Sequence, residues 1–494
     1  MRLVMLLGLL LLLTAIVLTV WSVWIHPALR LPASVRELKG QLKTDIAKHP
    51  ETAPNRNAEK WKSYLDKSRS VQTRLAQMRA VSGKTPVRPA GEVRLGFYSD
   101  NDPNALASLH EHAGHLTLLA PEWLSVVGAE GRLVSTGDPA LVEYCAARGI
   151  AVIPLLRNLE GDKWQPEAVE NLARGPAANR ARFVSGLAAK LAELKVAGVM
   201  IEFDQIDPAY RDEFTVLLTE ISAALHKAGR QLWLCVSLGD PLDSLDLESL
   251  SDETDRFVAL MYDENSDTDA PGPIASREWF EGWLQVVENY GDSDQWIAVL
   301  GAFAYDWNLQ EKVAETISFR DAMSRASYAG VDRASGVPIG PPEYNGRYNY
   351  SEPNGEHSVT FLDAVSFYNQ VRMVRGAKLG GIGVNRLGSE DPQIWDVLEM
   401  TNVPAGKALI ALGTMRADAT VTHIGRGEIV SVNDSMDDGT RLLSMDADGQ
   451  MRAHYTDFPT FPVLYHQGGS EPHKVSTLLT TDLIRSGRRR FSMC

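Results

Sequence analysis

From residue 92 onward the chain alternates short apolar runs with longer stretches of helical period. The apolar runs fall at 93–98, 116–119, 151–156, 199–203, 232–237, 257–262, 297–302 and 381–384. Short runs rich in Val, Ile and Leu, bounded by polar segments, read as strands buried on both faces. Between them, Phe183, Leu187, Leu191 and Leu194 fall on one helix face, and Phe214, Leu217, Ile221 and Leu225 on another, closed by Gly229 as a C-cap. Strands alternating with helices over roughly 300 residues predict an α/β fold, a (β/α)8 TIM barrel over residues 91–400.

The fourth run, VAGVMIEFDQI at 196–206, carries Glu202 and Asp204. Residues two apart on a strand share a face, here about 7 Å apart along it. Two carboxyls that close cannot both ionise freely, so one is pushed towards keeping its proton. A protonated acid beside an ionised one is the arrangement that glycoside cleavage uses. Solvated edge charges or salt-bridge partners remain the alternative. Barrels of this kind carry their chemistry at the carboxyl ends of the strands. That rule selects Tyr98, Trp123, Arg157, Glu202, Asp204, Asp240, Tyr262, Asp263, Tyr305, Trp307 and Arg386. Aromatic rings stack on sugar C–H faces, and carboxylates and Arg bind hydroxyls.

The flanks follow other patterns. Residues 3–25 are almost uninterruptedly apolar, roughly 34 Å as a helix, enough to cross a bilayer. They predict a transmembrane anchor over 1–27, with Trp21 and Trp24 in an interfacial belt; a cleaved signal peptide is the alternative, against which stand the length of the run and the lack of a clear small-x-small cleavage site after it. Residues 28–90 are polar and basic and read as a stalk ending in a Pro-rich linker. Residues 315–375 read as an α+β insertion, residues 401–473 as a small β-rich module, and residues 474–494 as a disordered basic tail. His357, in the insertion, is expected to be structural. Arg30, Arg36, Lys39 and Lys43 after the span favour a cytoplasmic body by the positive-inside rule.

Composition narrows the partners. The formal net charge is −14, which gives no electrostatic case for nucleic acid. It suits a neutral or cationic ligand, such as an uncharged or partly deacetylated sugar polymer. Cys145, Cys235 and Cys494 lie far apart, so free thiols are expected, buried at Cys145 and Cys235. No metal spacing is present, and no cofactor is expected.

The barrel region resembles the glycoside hydrolase family 18, or chitinase-like, domain. The family's fourth strand reads D-G-x-D-x-D-x-E, against Ala197-Gly198-Val199-Met200-Ile201-Glu202-Phe203-Asp204 here. Its sixth strand ends M-x-Y-D or similar, against Met261-Tyr262-Asp263. The last strands run into Ala304-Tyr305-Asp306-Trp307 and Asn385-Arg386-Leu387-Gly388. GFYSDND, LAPEWL, DENSDTDAPGPIAS, TFLDAVSFYNQ and RLGSEDPQIW resemble the version of that domain in large bacterial membrane proteins, which join it to a polysaccharide deacetylase and a glycosyltransferase. The resemblance implies that Asp204 is the proton donor and that Glu202 holds the substrate's acetamido group. It implies substrate binding by Tyr98, Trp123, Met261, Tyr262, Asp263, Tyr305, Trp307 and Arg386. It also implies a barrel on the extracytoplasmic side, against the charge asymmetry.

The sequence departs from the pattern. The order of the two acids is swapped, and Met200 stands where the family has a third. Asp204 is shorter than the family's glutamate by about 1.3 Å, and misplacement on the order of 1 Å can cost roughly a hundredfold in rate. Asn385 stands where the family has a tryptophan beneath the reacting sugar. Two functions are therefore expected. One is a membrane-anchored, chitinase-like hydrolase of β-1,4-linked N-acetylglucosamine polysaccharide. The other is a degenerate barrel that binds or guides polysaccharide for deacetylase and glycosyltransferase partners. The tail adds an expectation of its own. Back-translated with one allowed codon choice and read in a shifted frame, 477–494 gives TFDDGPDPKWTPQILDV, which resembles the start of a deacetylase domain, so a frameshifted or truncated product is expected.

Overall fold

The computed structural model describes residues 91–401 except 291, 330 and 332–336, and beyond them the strand segments at 421–424, 429–436, 439–445, 450–455, 464–466 and 475–477. The expected anchor, stalk and most of the tail lie outside these residues. Among the described residues no helix is long and apolar enough to cross a membrane.

Eight strand positions form a ring of parallel pairings. The first is Val93–Tyr98. The second is Leu118–Pro121, resumed as Leu124–Val127. The third is Ala151–Val152, resumed as Leu155–Arg157. Then follow Gly198–Glu202, Gln231–Ser237, Arg256–Leu260, Trp296–Gly301 and Gly381–Asn385. The eighth pairs with both the seventh and the first, so the ring returns on itself. The expected runs map onto these strands, with breaks at Glu122-Trp123 and Ile153-Pro154. Proline has no N–H to give a ladder, which accounts for the second break.

The pleat divides each strand between two cores. Leu95, Phe97, Met200, Trp233, Val258 and Val299 fill the barrel interior. Alternate residues such as Leu119, Ile201, Leu234 and Ala259 face the surrounding helices. Helix Ala177–Leu194 buries Phe183, Leu187, Leu191 and Leu194, and helix Arg211–Lys227 buries Phe214, Leu217, Ile221 and Leu225. Both faces are those expected from the sequence. Gly229, with φ +69°, follows the second helix. Cys145 and Cys235 are buried free thiols.

The insertion begins earlier than residue 315. Its four-stranded antiparallel sheet comprises Ala304–Asn308, Val313–Ile317, Gly346–Glu352 and Gly355–Phe361, and helix Ala364–Gly376 returns to the barrel. The run Ala304-Tyr305-Asp306-Trp307 is therefore an inserted strand rather than a strand-end loop. Asp306 centres a buried network behind it. It accepts hydrogen bonds from Arg325 and from the Tyr350 hydroxyl (2.6 Å), and His357 Nδ1 lies 2.8 Å from its Oδ1. His357 thus braces the insertion.

The C-terminal strands form a five-stranded antiparallel sheet whose edge, Val337–Ile339, comes from the insertion region. Asn369 exchanges two hydrogen bonds with the Met451 backbone (2.6 and 2.8 Å), and the Tyr455 hydroxyl donates to Asp363 (2.8 Å). Val475–Thr477, at the start of the expected tail, pairs with Leu464–His466.

Candidate active site

The carboxyl ends of the barrel strands open into a cavity of about 510 Å³. Glu122, Arg157, Tyr262, Asp263, Tyr305, Asn385 and Arg386 are among the residues lining it. Glu202 ends the fourth strand with its Cα opposite Arg157. That strand lies close against the fifth only because it starts at Gly198, where a Cβ would come within 2.2 Å of the Gln231 carbonyl oxygen. Two residues before Glu202, Met200 is buried in the interior beside Ile153, Leu155, Trp233 and Cys235.

The half-buried Glu202 therefore stands on an apolar layer. Burial pushes its carboxyl up to about pH 7; Arg157 pulls the other way, while Glu122, Asp204 and Asp263 push further up. Arg157 is also paired with Glu122, Nη2 to Oε2, at 3.0 Å.

Asp204 lies just past the strand. The buried Asn158 side chain holds its backbone from both sides, accepting from its N–H and donating to its carbonyl, each at 2.9 Å. Its own carboxylate Oδ1 accepts the N–H of Gln205 at 2.8 Å, and Gln205 sits in the left-handed region with φ +59°.

On the far wall, Asp263 Oδ1 accepts the Tyr305 hydroxyl at 2.8 Å. Burial raises the Asp263 carboxyl to about 6, the Tyr305 hydrogen bond opposes that rise, and Asp267 and Asp269 add to it. The Tyr262 hydroxyl accepts a hydrogen bond from Asn385 Nδ2, and burial holds the phenol in its protonated form.

Of the expected substrate-binding residues, Tyr262, Asp263, Tyr305 and Arg386 line the cavity. Tyr98, Trp123 and Met261 do not; they pack in the outer core between barrel and helices. The pleat is the reason. Phe97, Glu122 and Tyr262 take the inward positions, so their neighbours must face out. Trp123 Nε1 donates to Asp100 Oδ2 at 3.0 Å, outside the cavity. Trp307 packs behind Tyr305 with Phe303 and Leu362. Neither Glu202 nor Asp204 is itself a lining residue, but Glu202 adjoins Arg157, which is. The side chain of Asp240 lies outside the described residues. Glu122, Asn158 and Asn385 are the main additions to the expected site. Neither Glu122 nor Asn158 could be read from the sequence: the inward sense of Glu122 is set by ring closure, and the Asn158 clamp depends on strand pairing. Among the described residues no group of three or more His, Cys, Asp or Glu is placed to hold a metal.

No family model matches the chain. It is 24% identical over 264 residues to YdhD of Bacillus subtilis (strain 168), which bears the name of a sporulation-specific glycosylase; the match covers 51% of this chain and 60% of that protein. It is 20% identical over 317 residues to the uncharacterized glycosylase YvbX of the same organism, covering 61% of this chain and 89% of YvbX. Among solved structures, a chitinase from Chromobacterium violaceum superposes with a TM-score of 0.57 at 20% identity, over 63% of this chain and 98% of that one. The spore cortex-lytic enzyme SleL of Bacillus megaterium gives 0.57 at 17% identity, over 64% and 74%. A class V chitinase from Nicotiana tobaccum, solved with NAG4, gives 0.51 at 14%, over 62% and 97%. Likeness at these identities speaks for the fold. The chain therefore has a chitinase-like glycoside hydrolase fold.

Proposed function

We propose that this chain is a membrane-anchored hydrolase of β-1,4-linked N-acetylglucosamine polysaccharide, acting through the substrate's own acetamido group. The observation that carries this reading is the strand-end cavity, where Tyr262, Asp263, Asn385 and the Arg157–Glu122 pair surround the end of the acid-bearing strand. In the reaction, the acetamido carbonyl oxygen bonds to C1 as the C1–O bond to the departing sugar breaks. A carboxyl of the fourth strand gives its proton to the departing oxygen. Water then opens the cyclic oxazolinium at C1, and its proton returns to that carboxylate. The Tyr262 hydroxyl and Asp263 would help to hold the acetamido group. Residues 1–27 would tether the barrel on the extracytoplasmic side of the membrane.

A second reading is a non-catalytic barrel that guides polysaccharide for deacetylase and glycosyltransferase partners. It is favoured by Met200, which puts an apolar side chain where the family has an acid, and by the engagement of the Asp204 carboxylate with Gln205. The full chain in detergent, incubated with N-acetylglucosamine oligomers, separates the two. Oligomer cleavage supports the hydrolase. Binding without cleavage supports the guide. Neither binding nor cleavage removes both.

A further inference from the structure

The fourth strand ends in two acids, and the family pattern gives the donor's place to Asp204. The geometry points to Glu202 as the proton donor instead, with Asp204 serving the turn that follows the strand. This rests on the hydrolase reading and assigns the role within it.

Three observations converge. Glu202 is the last residue of the strand and shares the inward face with Met200. The groups facing its carboxyl are Glu122 and Arg157 from the second and third strands, Cys235 from the fifth, Tyr262 and Asp263 from the sixth, and Asp204 beyond its own strand. Four of these, Glu122, Arg157, Tyr262 and Asp263, line the cavity. Asp204, by contrast, has its backbone clamped on both sides by Asn158 and its carboxylate turned to the Gln205 N–H. Turning that carboxylate into the cavity would break the bond that holds the left-handed residue. Finally, Asn385 donates to the Tyr262 hydroxyl. Both residues line the cavity, and Tyr262 is also close enough to Glu202 for their charges to interact, which sets the Glu202 carboxyl directly behind the cavity wall.

Glu202 is also suited to both halves of the reaction. Its carboxyl titrates near neutrality, so it can give a proton and take one back. Arg157 beside it stabilises the carboxylate left after transfer. The Glu202 O–H proton passes to the glycosidic oxygen, which takes the electron pair of the broken C1–O bond. The proton of the incoming water restores the acid.

The test uses the full chain in detergent, unaltered and as E202Q, E202D and D204N. Each is assayed on N-acetylglucosamine oligomers and on a dinitrophenyl N-acetylglucosaminide, whose leaving group needs no proton. E202Q is expected to lose about 10²–10⁴-fold on the oligomers and far less on the dinitrophenyl substrate, while still unfolding in one cooperative transition and binding the oligomers. E202D should recover part of the oligomer rate. D204N should lose less, and equally on both substrates. A leaving-group-dependent loss in D204N with E202Q still active would overturn the assignment and leave the hydrolase reading standing. Equal losses of E202Q on both substrates would make Glu202 a positioning residue and also overturn it. No cleavage by the unaltered chain would remove the assignment together with the hydrolase reading.

Discussion

At the scale of single residues, the chemistry turns on carboxyls held away from water. Glu202 has its carboxyl raised from 4.5 to about 7, chiefly by burial over the apolar layer that includes Met200. The folded protein therefore binds that proton more tightly than the unfolded chain does. The stability Glu202 contributes is complete below about pH 4.5 and is lost as pH rises to about 7. Glu202→Gln removes this loss. It should stabilise the fold above pH 7 by about 1–3 kcal/mol, with no gain near pH 4. Urea denaturation at the two pH values reads the difference, and a gain that is the same at both would contradict it. The Tyr305 hydroxyl lowers the Asp263 carboxyl by donating to it. Tyr305→Phe should therefore move the Asp263 titration above its present value of about 6, visible by carboxyl-carbon NMR. A titration that stays put or falls would show that the hydrogen bond does not stabilise the carboxylate.

At the scale of elements, helix Ala364–Gly376 depends on Asp363, which accepts from the N–H groups of Val365 (3.1 Å) and Ser366 (2.9 Å) through Oδ1. Its other oxygen takes the Tyr455 hydroxyl. One buried carboxylate thus caps a barrel helix and anchors a strand of the C-terminal sheet. Asp363→Ala removes the cap and strands a buried hydroxyl, so it should cost about 2–4 kcal/mol. Tyr455→Phe removes one partner and should cost about 1 kcal/mol. Thermal denaturation of both variants checks the order, and equal losses would show that the cap contributes little.

For the molecule as a whole, barrel, insertion and C-terminal sheet share buried surface. Val337–Ile339 extends the C-terminal sheet from within the insertion region, and Leu443, Met445, Met451, Ala453 and Tyr455 join the outer core. Asn369, on the barrel helix, is the polar tie to Met451. Asn369→Ala leaves two Met451 backbone groups buried without their partner, a cost of about 1–3 kcal/mol. Hydrogen exchange should then quicken across Met451–Tyr455 and Val337–Ile339 and leave Gly198–Glu202 unchanged. Faster exchange across the fourth strand as well would mean that the sheet supports the site directly.

The barrel was legible in the sequence because each strand is a short apolar run, and the buried faces of the two long helices recur at fixed spacing. Both periods are local properties of the chain. The acid-bearing strand was legible for the same reason. Which member of each adjacent pair looks inward was not. Phe97 or Tyr98, Glu122 or Trp123, and Met261 or Tyr262 are equally compatible with a strand end, and only the closed ring sets the sense of the pleat. The insertion's start at Ala304 was hidden because AYDWN reads equally as a loop at a strand end, until Val359 and Ser358 pair beside it. The two acids of the fourth strand are alike in the sequence. Their difference comes from neighbours distant along the chain: an interior layer of Met200, Trp233 and Cys235 under one, and the Asn158 clamp behind the other. A carboxyl's proton affinity depends on solvent access and nearby charge, and both are set by which strands the fold brings together.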